Sequence, residues 1–87
     1  MDLGPNHFLP PQPLSFTGNV SNNWRVWKQE LTLYLDATEA SAKSDKVKSS
    51  ILLTCIGKHG REIYNTFTFD SAADTMKFDF ILQKFDE

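Results

Sequence analysis

The chain holds one cysteine, Cys55, two histidines and four glycines, and no long apolar run. Each shortage removes a class of function. A lone cysteine excludes an internal disulfide framework, and the chain lacks the remaining ligands that a structural zinc site needs. The glycines stand at 4, 18, 57 and 60, which fits neither a phosphate-binding loop nor a dinucleotide fingerprint. No segment nears the roughly 20 apolar residues of a membrane span. The opening "MDLG" has no charged n-region and long apolar stretch of a signal peptide, and its second residue, Asp2, is not the glycine that myristoylation requires. A cytoplasmic, reducing compartment with no membrane partner is therefore expected. Basic residues are also short: nine Lys and Arg against eleven Asp and Glu leave a formal net charge of −2, the reverse of the footprint that phosphate binding demands.

Aromatic residues, by contrast, are plentiful. Seven Phe, two Trp and two Tyr stand among 87 residues, of which 40% are hydrophobic and 23% charged. That composition describes one ordinary globular domain. A chain of this size buries only about 60–65% of its unfolded surface, so each large side chain matters.

All four prolines (5, 10, 11 and 13) fall in the first twenty residues. Proline fixes φ and biases its predecessor toward extended backbone, so residues 1–17 read as an extended lead. Leu14 and Phe16 are placed to dock one face of that lead, and "TGN" reads as a turn. A first helix is expected over 22–37, capped by Ser21 or Asn22. Trp24, Trp27, Leu31 and Leu35 recur there at i, i+3, i+7 and i+11, with Val26, Leu33 and Tyr34 widening the stripe. A second helix over 45–56 has Ser44 as its cap, Val47, Ile51, Leu52 and Cys55 on one face, and Gly57 beyond its end. A third is expected over 59–67, burying Ile63, Tyr64 and Phe67. A fourth, over 71–86, opens on the capping box "SAAD" and carries Phe78, Ile81, Leu82 and Phe85. Its amphipathic pattern still runs where the sequence stops, as expected of a piece of a longer protein. The fold class is all-α: a small four-helix bundle with a proline-rich N-terminal segment, the helical part covering 18–87.

The search for chemistry ends without a catalytic constellation. His7 lies in the lead and His59 between helices, and neither is set beside a nucleophile. Cys55 in "ILLTCIG" reads as a helix thiol facing the core, because a reactive thiolate needs an electropositive, accessible site. Asp70, Asp74 and Asp79 read as cap and solvent-face residues rather than as a tuned acid–base pair. The chain is expected not to be an enzyme and to carry no metal or cofactor. "WRVWK" and "KFDFILQKF" do interleave basic and aromatic residues. Their aromatics fall on the core stripes, however, with Arg25, Lys28, Lys77 and Lys84 outside them, so direct RNA binding is unsupported.

The residues do carry a resemblance. "PLSFTGNVSNNWRVWKQELTLYL" is similar to the start of the Gag capsid region of gypsy-class LTR retrotransposons. There a Pro–Leu–x–Phe–x–Gly–Asn lead precedes a helix patterned as Asn23, Trp24, Trp27, Lys28, Tyr34 and Leu35 are here. "KVKSSILLTCIGKHGREIYNTFTF" resembles the second and third helices of that region, with Cys–Ile–Gly at 55–57 and Ile–Tyr–Asn–Thr–Phe at 63–67. "KFDFILQKFDE" resembles the fourth. The likeness runs from about residue 11 to the end and lies in the combination, since any single piece is weak. It implies the N-terminal lobe of an all-helical capsid, a structural protein that self-associates with other lobes into particles packaging element RNA. RNA would be met only indirectly, through downstream regions outside this sequence. The alternative it implies is a peptide-binding adaptor lobe in a host protein derived from such an element. In capsid-derived lobes a groove between helices accepts an extended apolar peptide. Carried onto this sequence, the groove contacts would be Leu14, Phe16, Trp24, Trp27, Leu31, Tyr64 and Phe67, with the lead as a ligand in cis. The competing expectation is a lead that only staples the first helix, with Val20 at its entry.

Overall fold

The computed structural model describes residues 9–69, 71 and 75–86. Among them the chain is all-α and without strands. Its helices are α1 (Val20–Ala37), α2 (Asp45–Ile56), α3 (Lys58–Tyr64) and α4 (Phe78–Asp86), with one 3-10 turn, Ala40–Ala42, between the first two. Packed together they form a small four-helix bundle. The expectations placed on residues 1–8, Asp70 and Asp74, including His7 and the body of "SAAD", lie outside the described residues.

Helix α1 begins earlier than the sequence pattern suggests. Gly18 turns the chain at φ 74°, and Asn19 follows in a non-helical conformation whose side chain accepts the Asn22 N–H at 3.1 Å. Asn19, rather than Ser21 or Asn22, is therefore the cap. Val20 is 39% exposed, so it does not staple the helix entry. Trp24, Trp27, Leu31 and Leu35 face the core as a continuous stripe. Val26 and Leu33 do not widen it, being 41% and 61% exposed on the opposite side. The helix ends as the Thr38 N–H bonds back to Tyr34 and Glu39 takes a left-handed conformation.

Helix α2 is capped by Ser44, whose hydroxyl accepts the Val47 N–H at 3.3 Å. Its inner face is Ser49, Leu52 and Ile56, not the expected Val47, Ile51, Leu52 and Cys55. Leu52 alone belongs to both sets. Val47 points outward, while Ile51 and Cys55 lie half-buried at the margin. A buried serine decides the rotation: the Ser49 hydroxyl donates to the Met76 carbonyl at 2.9 Å, so a polar residue enters the core satisfied.

Two glycines then allow a very short link to α3. Gly57 sits at φ 94°, ψ 174°, a region almost closed to residues with a Cβ. Gly60 is buried against α2, and a Cβ there would lie 2.5 Å from Ile56 Cγ1. Helix α3 stops at Tyr64 rather than 67. The Thr66 N–H and hydroxyl both go to the Ile63 carbonyl, at 2.9 and 2.6 Å, and the Phe67 N–H goes to Tyr64, tightening the chain into turns.

Helix α4 starts at Phe78 instead of Ser71, which is a bend. The carbonyls just before it are engaged by side chains: the Tyr64 hydroxyl donates to Thr75 at 2.5 Å and Ser49 to Met76. These tertiary bonds compete with the helical ladder, and local propensity yields. Phe78 and Ile81 then complete a core shared with Leu14, Trp24, Trp27, Leu31, Leu35, Leu52 and Ile56. No described buried side-chain nitrogen or oxygen lacks a partner.

Trp27 lies at the centre of this core with 3% of its surface exposed. Trp27→Ala is expected to destabilise the chain by roughly 3–5 kcal/mol, a large share of the total for so small a domain. Urea denaturation followed by circular dichroism checks this; an unchanged midpoint would mean the side chain adds nothing to the core.

Candidate functional site

The site is the seam where the lead lies between α1 and the α2–α3 junction. Three kinds of contact hold it there. The first is apolar. Leu14 is buried among Trp27, Ile56 and their neighbours, and a Leu side chain so enclosed contributes about 1.5–3 kcal/mol before ordering costs. The second is steric: Pro13 rests on Gly57, where a Cβ would stand 2.9 Å from Pro13 Cβ. The third is main-chain hydrogen bonding. The Leu14 N–H donates to the Ile56 carbonyl at 3.2 Å, using an acceptor at the C-terminus of α2 that the helix itself leaves open. The Trp27 indole N–H donates to the Gln12 carbonyl at 2.6 Å. The Asn23 amide spans two more carbonyls, Ser15 at 3.3 Å and Thr17 at 2.9 Å.

Phe16 leaves the core and stacks on His59 in α3, with ring centroids 4.3 Å apart and planes 15° from parallel. The lead thus bridges α1, α2 and α3, which is more than a staple at the start of one helix.

The seven residues named from the sequence divide into two groups. Leu14, Trp24, Trp27 and Leu31 meet in one core, and Phe16 packs against it from the α3 side. Tyr64 and Phe67 do not line the seam with them. Their ring contacts are with each other, Phe69 and Phe85, because α3 stops before Phe67 and the following turns carry it toward α4. The two groups join through Phe85, whose ring lies 5.1 Å from Trp24 and 4.8 Å from Phe67.

Several partners went unassigned in the sequence reading. Asn23 is part of the motif, but its reach back to the lead follows only from the turn at Gly18. His59 looked like a connector residue, and its role as a platform for Phe16 had no local signal. Asp86 is the clearest omission. Its carboxylate accepts the Trp24 indole N–H at 2.6 Å and the Lys28 ammonium at 3.0 Å, tying the end of α4 to α1. Those two donors, the indole first, hold the Asp86 carboxyl below its ordinary range despite partial desolvation.

The other described residues offer little chemistry. Burial pushes the Cys55 thiol up, away from the thiolate form a nucleophile needs. Among the described residues no cluster of His, Cys, Asp or Glu is arranged to hold a metal ion. No described helix is long and apolar enough to cross a membrane.

Deleting residues 1–17 is expected to lower stability and to speed amide exchange across α1, α2 and α3 together, since the lead touches all three. It should also bare an apolar seam that binds an added peptide spanning residues 10–17. Altered exchange confined to the first turn of α1 would instead show a local staple. A second expectation concerns acid. A carboxyl with a lowered pKa adds stability that is complete above its unfolded value, about 3.9 for aspartate. That increment fades as pH falls toward and through the lower folded value. Asp86 is half exposed, so the effect is modest. Thermal melts of wild type and Asp86→Asn should differ at neutral pH and converge in strong acid; parallel curves would remove Asp86 as the titrating latch.

No family model, curated protein or solved structure matches the chain.

Proposed function

We propose that this chain is a structural protein–protein module: the N-terminal lobe of a Gag-type capsid, which self-associates with other lobes during particle assembly and performs no catalysis. The observation that carries this reading is the lead. The residues on which the resemblance to retrotransposon capsids rests are the same ones that interlock: Pro13 on Gly57, Leu14 in the core, Asn23 on two lead carbonyls, Trp27 on a third. A resemblance spread over separate short motifs gains weight when those motifs form one unit in space. The bundle's all-helical architecture supports the same reading.

A second reading has a specific observation in its favour. Much of the lead is held through its main chain, at Gln12, Leu14, Ser15 and Thr17. Main-chain recognition tolerates a different sequence in the seam, so the seam suits an apolar peptide from another molecule once the lead is displaced. Under that reading the chain is a peptide-binding adaptor lobe of a domesticated element.

Lobes of this kind make small contacts that gain strength from multiplicity. The 87-residue chain is expected to sediment as a monomer or weak dimer at micromolar concentration. Closed particles should appear, by negative-stain microscopy, only when the natural downstream reading frame is expressed with it. Large closed assemblies from the 87 residues alone would contradict this, and so would a longer product that never assembles.

A further inference from the structure

The lead and the last turn of α4 are both lightly anchored, and both are anchored on the same pair of rings. Of residues 9–19 only Leu14 is buried. Gly18, at their junction with α1, stands at φ 74° with nothing within 4 Å of where a Cβ would be. Such a segment can leave the core as a unit by giving up one side chain and a few hydrogen bonds. Beyond Ile81, α4 buries no described side chain completely. Its last turn is held by Phe85, 5.1 Å from the Trp24 ring, and by Asp86 on the Trp24 indole N–H. Trp27 holds the lead in the same manner, through the Gln12 carbonyl. The two indoles stack at 22° from parallel and are both buried, so neither has room to turn alone.

We infer that the stacked indoles form a relay: the seated lead holds the last turn of α4 closed, and departure of the lead loosens it. Seating fixes the Trp27 ring twice, by its N–H on Gln12 and by Leu14 in the same core. The fixed ring backs Trp24 and so aims the Trp24 N–H at Asp86, whose carboxylate also accepts Lys28. Departure removes both supports from Trp27 at once, and water takes the freed N–H. Trp24 then loses the face it rests on. Its short, charge-assisted bond to Asp86 is directional and tolerates little rotation of the ring. Linkage makes the effect reciprocal: freeing the end of α4 weakens the seating of the lead by the same factor. The relay would serve any occupant of the seam that accepts the Trp27 N–H, and it does not depend on the assembly reading above.

Hydrogen exchange followed by NMR on the 87-residue chain reads both ends. The Leu14 amide reports the lead, and the two tryptophans give separate indole signals. Leu52, fully buried in the middle of α2, gauges opening of the whole domain. Asp86→Ala changes an exposed residue at the far end of the chain. It should nevertheless speed exchange of the Leu14 amide and the Trp27 indole about threefold or more, beyond any change at Leu52. Ser49→Ala is the control, since it removes a bond to the Met76 carbonyl ahead of α4 and none made by either indole. It should speed Leu52 and leave the Leu14 amide at its wild-type rate. In the reverse direction, Leu14→Ala should speed the Trp24 indole by a factor similar to that of the first variant; if it fails to fold, the Asp86→Ala arm decides. Asp86→Ala that frees the Trp24 indole yet leaves Leu14 and Trp27 at wild-type rates would overturn the relay. Equal acceleration of the lead in Ser49→Ala would also overturn it, reducing the effect to general destabilisation.

Discussion

The structure depends on satisfying two indole N–H groups on one helix. Trp24 and Trp27 stack with ring centroids 5.8 Å apart, both facing inward from α1. A buried indole without a partner forfeits about 1–3 kcal/mol, and no side-chain acceptor lies within α1's core stripe. The partners come from opposite ends of the described chain: the Gln12 carbonyl from the lead and the Asp86 carboxylate from the end of α4, each at 2.6 Å. One helix therefore gathers both ends of the domain, and the aromatic area that drives burial brings its own polar addresses with it.

The α2–α3 junction follows from that demand. If Gln12 is to reach Trp27, the next residues must cross the end of α2 closely enough for the Leu14 N–H to meet the Ile56 carbonyl. Gly57 makes the crossing feasible twice over, by adopting a backbone conformation that side chains exclude and by leaving room for Pro13. Gly60 extends the economy one turn further, letting α3 close on Ile56. A glycine inside a helix costs about 1 kcal/mol relative to alanine, and here the close approach of two helices offsets it.

What the sequence made legible, and what it hid, divides along the same lines. The core stripe of α1 was readable because four large apolar residues at helical spacing leave one face to bury. The Ser44 cap was readable because capping is local. The inner face of α2 was not. "SSILLTCI" is apolar on most sides, and the deciding residue is a serine whose acceptor, Met76, lies 27 positions away. The start of α4 at Phe78 was hidden for a similar reason, since Tyr64 and Ser49 engage the carbonyls that precede the helix from 11 and 27 positions away. In the seam, Leu14, Trp24, Trp27 and Leu31 were found from periodicity and resemblance. Asn23, His59 and Asp86 act at a distance that no local pattern encodes.

This arrangement also links the lead and α4 energetically through the two indoles. Trp27 orders the lead, Trp24 orders the end of α4, and the two rings lie against each other. Freeing either end loosens the ring that holds the other, because stacked aromatics in a close-packed core cannot shift alone. Residues sharing a packed cluster typically couple by about 0.5–3 kcal/mol, comparable to the burial of Leu14 itself. A segment that exchanges into the seam would therefore be felt at the far end of the bundle, through Phe85 and Asp86, even though α1 itself need not move. The same helix turns Val26 and Leu33 outward, so the element that fixes the core also presents a face to its surroundings. In a domain with so little interior, one helix serving the lead, α4 and the outer surface is a direct consequence of size.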